Sequence, residues 1–142
     1  MRLSFEGFAW DRHPDRIAEE VTGGDRGVLF LANEAKKLMD PYVPAANLIL
    51  AQRVSTYVKD GHGIVEYLSP YAHYQYVGIL YVSSKTGSSW SRGEYKIPTS
   101  RRVEHNGFRH PLATSEWDKA MMASRSDDLV RAYQAYIDRR AR

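Results

Sequence analysis

Apolar residues recur along the chain at several spacings, and each spacing predicts a different kind of element. Across residues 25–40, Val28, Leu31, Ala32, Ala35, Leu38 and Met39 fall three and four apart while Asn33, Glu34, Lys36 and Lys37 lie opposite, the pattern of a helix with one buried face. Asp25 is placed to cap this helix and Pro41 to stop it near Asp40, because proline disfavours helical geometry in the residue before it. Pro44 then keeps residues 41–44 extended. A shorter helix is expected over residues 14–21, opened by Pro14 and interrupted by Thr22-Gly23-Gly24. Near the C-terminus, Ser115 precedes Glu116, Trp117 and Asp118 as a helix start, with Met121 one turn beyond Trp117. Ser126 before Asp127 and Asp128 marks a second start, whose stripe of Leu129, Val130, Tyr133, Tyr136 and Ile137 ends in Arg139, Arg140 and Arg142.

Strands are expected where β-branched residues alternate with polar ones. Residues 48–58 carry Val54, Thr56 and Val58, Asp60-Gly61-His62-Gly63 supplies a hairpin turn, and residues 64–68 return. Pro70 ends that strand, residues 71–77 read as a helical turn leading to Gly78, and residues 79–82 form a third strand. Residues 2–10 read as a further short strand, with Leu3 and Phe5 alternating against polar neighbours. The Ser/Gly/Lys stretch over 83–91 has little core potential, so residues 84–109 are expected to be one extended, mostly irregular basic loop. The fold class is therefore α+β: a small antiparallel sheet packed by an N-terminal and a C-terminal helix, with a long loop, in a single domain over residues 1–142.

Composition agrees with that picture and removes several chemistries. A chain of 142 residues, 43% hydrophobic and 26% charged, is the size and make-up of one folded domain. Without cysteine there are no disulfides, thiolate metal sites or thiol nucleophiles. No export leader is expected at the N-terminus, and no apolar run approaches the ~20 residues that span a bilayer. The net charge of +3 is unevenly placed, −2 through Tyr71 and +5 from Ala72 onward. Lys85, Arg92, Lys96, Arg101, Arg102 and Arg109 stand against Glu94 and Glu104 in the expected loop, a local +4 suited to an anionic surface.

Arrangements that carry catalysis are sparse. His13, His62, His73, His105 and His110 include no pair at metal-ligand spacing with a carboxylate beside it. Gly23-Gly24 lacks the rest of a phosphate-binding loop, and no Gly-x-Ser-x-Gly elbow is present. Glu94-Tyr95-Lys96 has the Glu-x-Lys spacing of magnesium nucleases, but no apolar strand before Glu94 and no core aspartate support it, Asp60 lying in a turn. Trp90, Tyr95 and Phe108 interleaved with basic residues offer base-stacking faces, which keeps a general DNA-binding module as an alternative beside a small Mg-dependent nuclease. No catalytic residue, cofactor or metal is expected.

Three blocks read together are more specific: Met39-Asp40-Pro41-Tyr42-Val43-Pro44; Ser69-Pro70-Tyr71-Ala72-His73-Tyr74-Gln75-Tyr76-Val77-Gly78; and His110-Pro111-Leu112-Ala113 followed by Trp117 and Met121. In order and distance they resemble the minor capsid proteins of tailed phages and prophages of Gram-positive bacteria, over about residues 25–137. The chain departs from that pattern at Ala45-Ala46-Asn47-Leu48 and at Thr114-Ser115. The resemblance implies a structural virion protein of the head-tail connector, a neck or tail-completion component in a hexameric ring, located in the virion neck and assembled in the host cytoplasm. It implies no enzymatic activity and no membrane. Its partners would be copies of itself, head-completion or connector proteins, tail terminator or tail tube proteins, and DNA passing non-specifically through the channel.

On that reading Tyr71, Tyr74, Tyr76, Trp90, Arg92, Lys96, Arg101 and Arg102 are the candidate interface residues, since tyrosine and tryptophan bury large rings while keeping a polar edge satisfied. Pro41, Tyr42, Pro44, Pro70, Gly78, His110, Pro111, Trp117 and Met121 are the candidate structural positions, with Tyr42 expected to staple the helix end and Trp117 and Met121 to pack on the sheet.

Overall fold

A computed structural model describes residues 14–44, 49–90, 93–105 and 109–141, and the strand expected over residues 2–10 lies outside these, as does Arg92. In chain order the elements are α1 (Pro14–Thr22), α2 (Gly24–Met39), a 3-10 turn (Asp40–Tyr42), α3 (Ile49–Gln52), β1 (Val54–Lys59), β2 (His62–Tyr67), α4 (Ala72–Val77), β3 (Ile79–Ser83), β4 (Lys96–Arg102) and α5 (Trp117–Arg140). The fold is α+β, as the patterning predicts.

Helix α2 forms the spine. Gly27, Ala32 and Met39 are buried along it, and the remaining apolar positions of its stripe are half-buried. Asp25 does not cap α2: Gly23, at φ 86°, is the N-cap and has the backbone freedom to turn the chain sharply between α1 and α2, leaving Asp25 in the first turn beside the positive helix end. Proline stops α2 at Met39, but residues 40–42 make one more tight turn, and extended geometry begins only at Val43.

The β1–β2 hairpin packs on α2, turning through Asp60 and Gly61, both at positive φ, so that His62 and Gly63 belong to β2 rather than to the turn. Gly63 lets the sheet approach the helix: a Cβ there would stand 2.9 Å from the Val28 carbonyl oxygen. The strand expected from residue 48 begins only at Val54, after the single turn of α3.

Two corrections alter the expected architecture. There are two separate two-stranded sheets among the described residues, not one, because β3 pairs with β4 and not with the first hairpin. Residues 84–109 are therefore not one loop, since Lys96–Arg102 forms a strand antiparallel to β3, with Ile79 opposite Arg102, Tyr81 opposite Pro98 and Ser83 opposite Lys96. Ser115 and Ser126 do not cap two helices either. α5 runs unbroken from Trp117 to Arg140, with Glu116 as its N-cap. Asp128 sits mid-helix between Arg125 and Arg131, one helical turn away on each side, and the Arg125 guanidinium holds its carboxyl below the usual carboxylate range.

α5 crosses α2 and ties the ends of the body together. Phe30 of α2 stacks on Tyr136 at 4.5 Å, the Tyr136 ring stacks on Tyr133 at 6.2 Å, and the Arg140 guanidinium covers Tyr136 at 5.7 Å. Val130 does not join this face and is exposed.

Candidate functional site

The three sequence blocks, separated by tens of residues, meet at one junction. The buried hydrophobic cluster there is Met39, Val43, Leu50, Trp117 and Met121, with Tyr42, Tyr67 and Tyr76 packed against it. Tyr42 donates its hydroxyl to Ser124 Oγ at 2.6 Å, since that serine already donates to the Ala120 carbonyl at 2.8 Å, which pins the end of α2 to α5. The His110 Nδ1–H donates to the Val43 carbonyl at 2.7 Å, and the Thr114 N–H to the Tyr42 carbonyl at 3.0 Å. Pro41 lies within the 3-10 turn and Pro44, buried, follows it, while Pro70 and Pro111 are exposed at bends. Gly78 closes α4 at φ 77°, where a Cβ would stand 2.9 Å from that of Ser115.

Around Trp117 the aromatic rings form a box. Tyr67 and Tyr76 meet it edge-on, at 5.2 and 5.1 Å between ring centroids. Tyr76 donates its hydroxyl to Asp118 Oδ1 at 2.8 Å, and the hydrogen bond to that carboxylate, helped by burial, raises its pKa. Burial pushes the Tyr67 hydroxyl up to about 12, against a hydrogen bond with Trp117 that lowers it. A cleft of about 330 Å³ opens here, lined by Met39, Val65, Tyr67, Tyr76, Trp117 and Asp118. Trp117 and Met39 form its buried floor, and the other four are only half-buried, so the cleft reaches the surface. Tyr76, expected at an interface, is part of this box and lines the open cleft.

The other candidate interface residues lie elsewhere. Tyr71 is exposed at the start of α4, and Tyr74 is half-buried with its ring 4.9 Å from Tyr81 of β3. The β3–β4 hairpin and its tip form an arm that follows α4, whereas α2 packs on the first hairpin and on α5. Trp90 at the tip is 89% exposed and Tyr95 79% exposed, and Ile97 is also exposed. Arg101 is exposed on β4, and Arg102 points its guanidinium back toward Gly78.

The tip is held by its own polar groups. Ser83, buried at its root, donates to Glu94 and accepts the Lys85 and Thr86 N–H groups at 3.1 and 3.3 Å. Lys96 Nζ donates to the Ser89 carbonyl at 2.7 Å. Glu94 and Lys96 therefore have local structural partners, and Asp60 lies on the other hairpin. The described residues hold no group of three His, Asp or Glu side chains able to bind a metal ion, and no helix among them is long and apolar enough to cross a membrane. A second hollow, about 470 Å³, is lined by Asn33, Lys36, Lys37, Asp40 and Ala51 and is a polar surface concavity.

Periodicity alone did not single out Tyr67, Val65 or Asp118 for the cleft. Their only signal was the tyrosine density of residues 67–81 and the carboxylate following Trp117. In comparisons with known proteins, no family model matches the chain, and neither a curated protein nor a solved structure does.

Proposed function

We propose that this chain is a structural component of a phage head-tail connector, a neck or tail-completion protein that assembles with copies of itself into a ring between the portal complex and the tail. The observation that carries this reading is the way large apolar side chains divide between inside and outside. Six hydrophobic residues are buried among the described residues, whereas eleven large ones are exposed, including Tyr71, Trp90, Tyr95 and Ile97. A surface of that kind is suited to burial against other proteins. The three blocks that resemble minor capsid proteins support the same reading because each supplies residues to the junction of α2, α4 and α5, among them Met39, Tyr42, Val43, Tyr76, His110, Trp117 and Met121.

In this role the body is a rigid block and the arm reaches a neighbour. Ring closure calls for a heterologous contact, in which one patch meets a different patch on the next copy. Aromatic and basic side chains on the arm supply one such patch, with Trp90 and Tyr95 as anchors and Lys85 and Arg101 as charges for an acidic partner surface or for DNA in the channel. The test is deletion of residues 84–95 from the phage or prophage genome that encodes the chain. The expected result is a folded protein and particles blocked at the joining of heads to tails. Normal infectious particles from that deletion, or complete particles that lack the polypeptide, would overturn the assignment.

A further inference from the structure

We propose that the aromatic cleft is a socket for the arm tip of a second copy of the chain, with the Lys85 ammonium and its four-carbon stem as the inserted group. This rests on the self-assembly reading above and adds where two copies touch. The Tyr67, Tyr76 and Trp117 rings line it, and an ammonium seated over an aromatic face is attracted to it, most strongly when water is excluded. Asp118 lines the cleft, and Asp40 and Glu116 lie close enough to act electrostatically on its tyrosines. Lys119 is the cation acting on Tyr76, and it is already held by Glu116 at 2.7 Å. An apolar-walled hollow with a negative rim suits a side chain with a long apolar stem and a positive head.

The chain itself carries that group in an accessible place. Lys85 is the second residue after β3, in the turn that opens the tip, is exposed, and forms no ion pair with any described residue. Lys96, nearby, is instead tied to the Ser89 carbonyl. No described residue of the arm lines the cleft in its own copy. From Lys85 to Arg102 the sequence sums to +4, opposite in sign to the carboxylates at the cleft.

The backbone also marks the cleft. Glu116 sits at φ 48°, a conformation that side-chain-bearing residues rarely adopt, and its N–H donates to the Tyr76 carbonyl at 2.9 Å. That kink sets Trp117 and Asp118 side by side at the cleft as α5 begins. A contact between arm and cleft joins two different patches, so repeating it propagates head to tail and can close a ring.

The experiment uses the full chain. Self-association is measured by sedimentation, and a zero-length carbodiimide, which couples ammonium to carboxylate, is followed by peptide mapping. Cross-links between copies are expected from Lys85 to Asp118, Asp40 or Glu116. Lys85→Gln should weaken association about thirtyfold, the scale of a desolvated cation on an aromatic face, and Asp118→Asn about tenfold, through loss of one carboxylate charge beside the ammonium. The side-chain amide that Asp118→Asn introduces can still accept from Tyr76, and melting curves establish that each variant folds. If Asp118→Asn fails to fold, Lys85→Gln at its exposed site decides alone.

An isotope-labelled Lys85→Glu chain mixed with Asp118→Asn should cross-link in one direction only, from Lys85 of the second chain to the carboxylates of the first. Association with Lys85 cross-linked elsewhere, or unchanged by Lys85→Gln, overturns the socket while leaving self-assembly standing. A chain that stays monomeric at every concentration and is present singly in particles overturns both.

Discussion

The junction around Trp117 and the β3–β4 arm use the same residue types to opposite ends. At the junction, tyrosine, tryptophan and methionine face inward, and their polar atoms have partners within the chain: Tyr76 with Asp118, Tyr42 with Ser124, His110 with the Val43 carbonyl. On the arm, Trp90 and Tyr95 face solvent, and the polar bonds only shape the tip. A two-stranded hairpin is marginal alone, and β1–β2 gains its support from α2 while β3–β4 gains little beyond α4. The comparison teaches that aromatic content by itself does not distinguish core from interface. What distinguishes them is whether the chain supplies the second wall.

That contrast can be broken most severely at Trp117. Replacing it with alanine removes a buried ring that three segments share, and the loss should be about 3–5 kcal/mol, seen as a large fall in the denaturant midpoint. Gly78→Ala comes next, because it forces a side chain into the left-handed region and against Ser115, at a cost of about 1–2 kcal/mol. Tyr76→Phe keeps the ring but leaves Asp118 without its donor, and should lower stability by about 1 kcal/mol.

A pH effect sharpens the same side of the comparison. Burial favours the neutral form of Tyr67 and raises its folded-state pKa from 10.0 to about 12. A raised pKa means that the folded state holds this proton more tightly than the unfolded state does. The stabilisation is therefore complete below pH 10 and lost as pH rises through about 12. Thermal midpoints should fall across that window, and Tyr67→Phe should flatten the fall.

The smallest effect belongs to the arm. Trp90→Ala should change stability by less than about 0.5 kcal/mol, although it removes the most exposed large hydrophobic side chain among the described residues. A loss there comparable to that of Trp117→Ala would erase the distinction between the two regions.

The body was far easier to read from the sequence than the arm. The stripe of α2 announces a helix because its spacing serves one buried face, and Asp60-Gly61 announces a hairpin because both residues tolerate positive φ. β4 gives no such sign. Lys96–Arg102 contains a proline and mostly polar side chains, and it is a strand through backbone pairing with β3, which no periodicity records. α5 misleads in the opposite way, since Ser126, Asp127 and Asp128 carry the chemistry of a helix start but sit in mid-helix, where Arg125 and Arg131 flank Asp128. The cleft was least legible, because Tyr67, Tyr76 and Trp117 come from β2, α4 and α5 and converge only through tertiary packing.

The central claim is that the core of the body is closed within one chain, with only its cleft left for a neighbour, and that the arm is completed by another copy. Amide hydrogen exchange on the isolated chain and on the assembled particle measures this most directly. The account predicts that amides of β3, β4 and the tip exchange quickly in the isolated chain and become at least about tenfold better protected in the particle, while those of α2 and β1–β2 stay the same. Arm amides equally protected in both states, or unprotected in both, would contradict it.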